Sequence, residues 1–188
     1  VTITGVDDFI IDGDIAYEIN SFVSSADLLY NVLIPDTVSV TNQDDDVAGI
    51  VVSPISGLVT TEAGGTATFS IVLAVQPSAD VSFNLMSSNT NEGTISPNNV
   101  IFTDLDWDQP KTITITGADD AVVDGTVSYT IITGLASSSD LNYEGFDPDD
   151  VSVSNSDNDS AGITVNPTSG LTTTEAGGTA TFTVVLNS

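Results

Sequence analysis

Apolar and polar side chains alternate along most of the chain, in short runs that are separated by Gly, Asp, Asn and Pro. In residues 66–73, for example, Ala67, Phe69, Ile71 and Leu73 alternate with Thr, Ser and Val. A period of two residues is typical of a strand with one buried face. No stretch shows a convincing helical period, so the pattern predicts an all-β protein. The same alternation recurs at 81–85, 113–115, 127–131 and 151–153.

The sequence also repeats itself. Residues 1–17 match 113–129, residues 35–50 match 148–163, and residues 57–73 match 170–186. Repetition at a long fixed period is the signature of tandem structural modules. The repeat divides the chain into the C-terminal part of one module (1–48), a complete module (49–160) and the N-terminal part of a third (161–188).

Seven strands are predicted in the complete module. Seven short strands in about 110 residues are typical of an immunoglobulin-like β-sandwich. The chain is therefore expected to form tandem seven-stranded sandwiches. The predicted strands are 49–58 (A), 66–74 (B), 80–87 (C), 98–103 (D), 111–117 (E), 126–134 (F) and 150–156 (G).

The charge of the chain is extremely unbalanced, with 27 acidic residues against a single basic one, Lys111, and a net charge of −26. Such a charge repels nucleic acids and anionic membranes, and it favours cations as partners. The absence of Cys and His excludes disulfides, thiol catalysis and the usual zinc ligands. No apolar run approaches the length of a membrane span, so membrane insertion is not expected.

Strand counting brings many of the acids together. If successive strands alternate in direction, the A–B, C–D and E–F turns and the segment after strand G share one end of the sandwich. The next module begins at that same end, so the acids are expected to gather at the joint between modules. These residues are Glu62, Glu92, Asp119, Asp120, Asp124, Asp157, Asn158 and Asp159.

Closely spaced carboxylates repel one another and need a neutralising partner. Ca²⁺ accepts six to eight oxygen ligands in irregular geometry, which suits Asp and Asn on loops. Mg²⁺ demands a tighter octahedron, and softer metals lack nitrogen and sulfur ligands here. The composition of the turns therefore favours Ca²⁺.

Three motifs resemble the Calx-β domain: TTEAGG at residues 60–65, DD-x3-DG in the E–F turn, and DDD-x-AGI at residues 44–50. The resemblance covers essentially the whole repeat and implies a Ca²⁺-binding sandwich. Two departures imply a weaker second joint, since Asp14 becomes Thr126 and Asp45 becomes Asn158. Carried over by position, the implied ligands are Asp7, Asp8, Asp12, Asp14, Asp44, Asp45 and Asp46 in the first module and Glu62, Asp119, Asp120, Asp124, Asp157, Asn158 and Asp159 in the second.

Simpler interpretations of the acids remain open. Asp and Asn form turns by hydrogen bonding to their own backbone, and this is favoured for the D–E and F–G turns at the opposite end. General acidity, as in a halophile or marine protein, is compatible with metal binding. Trp107 is expected to be a packing residue rather than a carbohydrate platform.

The pattern as a whole predicts a Ca²⁺-rigidified spacer or stalk within a large extracellular or cell-surface protein such as an adhesin or filament. Its partners would be neighbouring modules of the same chain, and other copies if chains form a fibre. The alternatives are a glycan- or protein-binding module and a Ca²⁺-sensing regulatory domain. An enzyme is not expected, because no nucleophile is paired with a base and the paired carboxylates recur with each repeat.

Overall fold

A computed structural model describes residues 1–188, and nearly all of its regular structure is β-strand. The fold class predicted from the alternation is therefore confirmed as all-β. The chain begins with strands β1 (Ile15–Ile19) and β2 (Val38–Asn42), which pair antiparallel. Between them lies one helical turn, α1 (Leu28–Asn31), where the sequence predicts no helix. No helix of the protein is long and apolar enough to cross a lipid bilayer.

The central part of the chain, residues 50–156, forms a sandwich of two sheets. One sheet has the order β3-β5-β9-β7, and the other has the order β11-β6-β10-β12-β4, with β8 also pairing β6. The strands are β3 (Ile50–Ser53), β4 (Leu58–Thr61), β5 (Thr66–Leu73), β6 (Val81–Ser87), β7 (Gly93–Ser96), β8 (Asn99–Phe102), β9 (Lys111–Gly117), β10 (Val127–Thr133), β11 (Ser137–Ser138) and β12 (Val151–Ser156).

Predicted strand A (49–58) contains β3 but only the first residue of β4, and these two strands lie in opposite sheets. β3 pairs antiparallel with β5, whereas β4 pairs parallel with β12. Pro54 follows β3 immediately, and proline has no N–H to continue a ladder. The chain therefore leaves the first sheet there and joins the second, which carries the following turn toward the end of β12.

Predicted strand D (98–103) corresponds to β8 alone. β8 falls within the predicted range but pairs with β6, and the neighbour of β9 is the additional strand β7, in a segment without a strand prediction. Pro97 separates β7 from β8. Only Ile95 is apolar in the four residues of β7, which is too little alternation to recognise in a sequence.

Between the two sheets lies a core of 19 buried hydrophobic residues. Phe69, Ile71 and Leu73 face inward from β5, as the alternation predicts, and Phe83 and Ile131 face them from the other sheet. Fully burying each such side chain contributes about 1.5–3 kcal/mol. This core holds the two sheets together and fixes the positions of the loops at their ends.

The last two strands, β13 (Ile163–Asn166) and β14 (Thr183–Leu186), form an antiparallel pair. Ile163 lies opposite Leu186 as Ile50 lies opposite Leu73 in β3 and β5. In the same way, β1 and β2 reproduce the pairing of β10 and β12. The strand pairing therefore repeats along with the sequence.

Candidate metal centre

Three segments meet at one end of the central sandwich: the turn after β4, the loop between β9 and β10, and the segment after β12. The parallel pairing of β4 with β12 sets Thr61 opposite Ser156, and the Glu62 N–H continues this contact by donating to the Ser156 carbonyl at 3.1 Å. Gly64 then turns the chain back at φ +80°, a conformation that favours glycine. Glu62 is therefore held beside the residues that follow β12.

The first acidic group at this end consists of Glu62, Asp157 and Asp159, whose carboxylate oxygens lie within 4.8 Å of one another. Glu62 is only 3% exposed, and it accepts a hydrogen bond of 2.9 Å from the Asn158 N–H. The buried Oδ2 atom of Asp159 has no hydrogen-bond partner. The group therefore combines crowded negative charge with a buried acceptor that nothing in the protein satisfies.

The pKa values of Asp157 and Glu62 are shifted in opposite directions. Hydrogen bonds from the Asp159 and Gly125 N–H groups hold the pKa of Asp157 below its usual value. For Glu62, the hydrogen bond from Asn158 lowers the pKa, but burial and the charges of nearby aspartates outweigh it, so the pKa is raised. Burial and the neighbouring negative charges therefore disfavour the ionised form of Glu62.

A second group consists of Glu92, Asp120 and Asp124, again within 4.8 Å. Glu92 comes from the loop after β6 and is 6% exposed. Strand counting assigns Glu92 to this end of the sandwich, but the ligand set from the Calx-β resemblance leaves it out. Its position after strand C is the signal that would have included it.

A buried polar network contacts the second group through Glu92. Asn155, which is 1% exposed, accepts a hydrogen bond from Thr60 at 3.0 Å and donates to the Ala118 carbonyl at 3.0 Å and to Glu92 at 3.4 Å. Thr60 also bonds to the Tyr129 hydroxyl at 3.2 Å. A Cβ on Gly93 would overlap that hydroxyl, so the close approach of β7 requires glycine. The sequence prediction missed Asn155, Thr60 and Tyr129 because these side chains are neutral.

The remaining predicted ligands of the second module, Asp119 and Asn158, are exposed and bond to each other at 3.2 Å. The seven predicted residues therefore fall into three sets. Glu62, Asp157 and Asp159 form one group, Asp120 and Asp124 join Glu92 in another, and the Asp119–Asn158 pair lies beside them.

The seven predicted ligands of the first module are less tightly gathered and form no three-acid group of this kind. Asp44 accepts hydrogen bonds from the Gly13 and Asp46 N–H groups at 2.6 and 2.9 Å, and its own N–H donates to Asp14 at 3.2 Å. An open cleft of about 470 Å³ is lined by Asp8, Asp12, Asp44, Asp45 and Asp46, whereas Asp7 and Asp14 lie outside this lining.

Charge is nevertheless crowded in the first module. Burial raises the pKa of Asp46, and so do the charges of Asp44, Asp8, Asp45 and Asp7.

Acids at the opposite end of the sandwich accept hydrogen bonds from nearby main-chain groups, which agrees with the turn-forming role predicted for them. Asp106 accepts a hydrogen bond of 2.7 Å from the Thr103 N–H and forms an ion pair of 2.6 Å with Lys111. Hydrogen bonding by Lys111 and Thr103 lowers the pKa of Asp106 to about 2. Burial raises the pKa of Asp140, but hydrogen bonds from Ser78 and Asn142 outweigh it and leave the pKa lowered.

Trp107 is a packing residue, as predicted. It is half-buried against the central core, and its ring centroid lies 5.6 Å from that of Phe9 in the preceding module.

The donor set at the crowded end fits a hard divalent cation. All side-chain donors in the two groups are carboxylate oxygens, which suit Ca²⁺ and Mg²⁺, and no imidazole or thiolate is available to a softer metal. The unsatisfied Asp159 Oδ2 is an acceptor that a cation would satisfy. The residues present therefore fit a hard divalent cation such as Ca²⁺.

Comparison with known proteins gives structural similarity only. The sequence matches no protein-family model and no curated protein. Among solved structures, the apo form of the Calx CBD1 domain is 15% identical, with 61% of this chain and 100% of that chain covered and a TM-score of 0.47. The calcium binding domain CBD12 of CALX1.1 is 13% identical, with 74% and 70% covered and a TM-score of 0.47.

The periplasmic chaperone SfaE is 9% identical, with a TM-score of 0.45. The chain spans 58% of the length of SfaE, and 58% of this chain is covered. The assignment as an all-β sandwich rests on the strand pairing within this protein.

Proposed function

We propose that this chain is a Ca²⁺-rigidified spacer made of tandem β-sandwich modules in a large extracellular or cell-surface protein. The observation that carries the proposal is the group of Glu62, Asp157 and Asp159, which three acids from two distant segments form at the end of a module. In this proposal the role is structural and not catalytic.

The residues that would hold ions in the central module are the two acidic groups. One carboxylate oxygen from each of Glu62, Asp157 and Asp159 would contribute to the six to eight oxygens that Ca²⁺ takes, with main-chain carbonyls and water supplying the others. A bound ion supplies positive charge that neutralises these carboxylates. Without it, each close pair of carboxylates costs free energy and weakens a fold of marginal stability.

Stiffness follows from where the groups lie. Asp157 and Asp159 belong to the segment that leads from β12 into β13, whereas Glu62 belongs to the body of the sandwich. A ligand that binds only when these parts are together stabilises that arrangement by mass action. Extracellular Ca²⁺ is abundant enough for weak sites of roughly 10⁻⁴–10⁻³ M to be filled.

Titration calorimetry on the full chain tests binding, and small-angle scattering in Ca²⁺ and in chelator tests stiffening. We expect saturable Ca²⁺ binding, and a narrower distribution of molecular dimensions when Ca²⁺ is present. Binding without any change in scattering or melting temperature would contradict the spacer mechanism and favour a recognition module. An absence of binding would contradict the Ca²⁺ assignment itself.

A further inference from the structure

The loop before β1 contacts the central sandwich across the joint. The Phe9 carbonyl accepts a hydrogen bond of 2.8 Å from the Gln76 N–H, and the Phe9 ring packs against Trp107. Ile11 is half-buried against the central core. The Gln76 side chain in turn donates to the Asp104 carbonyl at 2.7 Å, which ties two loops of the central module together beneath Phe9.

The same loop carries acids on both sides of Phe9, and the acids of the first module fix its backbone. Asp8 accepts a hydrogen bond from the Ile10 N–H at 2.9 Å. Asp44, which follows β2, accepts one from the Gly13 N–H at 2.6 Å. The conformation that presents Phe9 to Trp107 is therefore held by carboxylates that belong to the predicted metal ligands.

The central module repeats this loop geometry, since Asp120 accepts from the Val122 N–H at 2.7 Å and Asp157 accepts from the Gly125 N–H at 2.8 Å. One residue differs in a way that matters: the position of Phe9 is occupied by Ala121. Alanine has no ring to pack against an aromatic partner. The backbone of the loop is thus common to both modules, and the aromatic contact belongs to the first.

We propose that residues 7–13 form a clasp in which cation binding by the first-module acids and docking of Phe9 on Trp107 favour each other. This rests on the proposed function, because it needs a cation at those acids. Coupling is reciprocal: if the ion stabilises the docked loop, the docked loop raises the affinity for the ion. The clasp makes the joint before the central module stiffer than a joint whose loop carries alanine in place of Phe9, as the loop with Ala121 does.

The chain offers a direct probe, because Trp107 is its only tryptophan. Acrylamide quenching of Trp107 fluorescence measures how well the indole is covered, and acrylamide carries no charge that the acids would repel. We expect quenching of the full chain to fall when Ca²⁺ replaces chelator. In Phe9→Ala, quenching is expected to remain near the chelator value in both conditions.

Calorimetry supplies the reciprocal measurement. Phe9→Ala is expected to weaken Ca²⁺ binding at the first joint by about two- to tenfold, the range available from one aromatic pair formed only in the docked state. Phe22→Ala is the matched control, because Phe22 is 93% exposed and lies away from the joint. It is expected to match the unmodified chain in both measurements.

Three results would overturn the clasp, and they are distinguishable. Ca²⁺ binding without any change in Trp107 quenching would remove the coupling but leave the spacer proposal standing. Equal Ca²⁺ affinity in Phe9→Ala and the unmodified chain would do the same. No Ca²⁺ binding in calorimetry would overturn the proposed function, and the clasp with it.

Discussion

Glu62 and Asn158 lie 96 residues apart in the sequence, yet the Glu62 carboxylate accepts a 2.9 Å hydrogen bond from the Asn158 N–H. This bond joins the turn after β4 to the segment that leaves the module. It also orients a nearly buried carboxylate toward Asp157 and Asp159. The hydrogen bond thereby connects the body of the sandwich to the segment through which the chain leaves it.

Replacing Glu62 with Gln keeps an oxygen acceptor for the Asn158 N–H but removes the negative charge. We expect Ca²⁺ binding at this group to weaken by about tenfold or more, since affinity depends on the number of charged ligands, and tenfold corresponds to about 1.4 kcal/mol. Calorimetry measures the change. Glu144→Gln, at an exposed loop residue, is the control, and equal affinities would contradict the role of Glu62.

Asp159→Asn is expected to act in opposite directions in two solutions. In chelator it relieves repulsion with Glu62 and Asp157, so the melting temperature should rise by a few degrees. In saturating Ca²⁺ it removes a charged ligand, so the stabilisation by Ca²⁺ should shrink. Thermal unfolding in both solutions checks this, and a fall in melting temperature in chelator would show that Asp159 stabilises the protein without an ion.

Asn155→Ala removes the centre of the buried network: the Ala118 carbonyl loses its donor, while Thr60 keeps its contact with the Tyr129 hydroxyl. A buried polar group left unsatisfied costs about 1–3 kcal/mol, so we expect a loss of about 1–3 kcal/mol in the free energy of unfolding. Urea denaturation in chelator measures it. Asn98→Ala, at an exposed residue just before β8 whose side chain makes no hydrogen bond, should change stability by less than about 0.5 kcal/mol.

Tyr143→Phe tests a contact outside the two candidate metal-binding groups. The buried Tyr143 hydroxyl donates to the Val75 carbonyl at 2.7 Å and accepts from the Val75 N–H at 3.3 Å. Removing it leaves both main-chain groups unpaired, and we expect a loss of about 1–3 kcal/mol. Tyr30→Phe, at a 59% exposed ring, is the matched control. Equal urea midpoints for the two variants would contradict this role.

The ion pair of Lys111 and Asp106 predicts a pH dependence with a definite sign. The pKa of Asp106 is lowered from 3.8 to about 2, so the pair stabilises the fold above the unfolded pKa and this contribution is lost as the pH falls toward 2. In chelator, the difference in urea midpoint between the unmodified chain and Lys111→Met should be constant above about pH 5 and shrink below about pH 4. A difference that persists unchanged to about pH 3 would contradict the assignment.

The fold could be predicted because the sandwich buries one face of each long strand. Phe69, Ile71 and Leu73 alternate in sequence because they alternate across the sheet. The separation of β3 from β4 could not be predicted in this way, because both strands are short and the change of sheet depends on the partner that each strand finds.

The candidate site was recognisable because its acids recur in two copies of one motif. Glu92 lacked that support, since the chain contains only one copy of the loop after β6. Asn155 occurs in both copies, as Asn42 and Asn155, but a neutral residue within a strand carries no chemical signal until its partners are known. Buried neutral residues that hold the ligands of a site in place are therefore hard to identify from the sequence alone.

The parallel pairing of β4 with β12 determines how the module would bear tension. β4 lies near the point where the chain enters the sandwich and β12 ends where it leaves, so a pull on the two flanking segments drives these strands in opposite directions along their own axes. The hydrogen bonds between residues 58–61 and 153–156 are then loaded together in shear rather than broken one at a time. A string of such modules would resist stretching through the strands that link it into a chain.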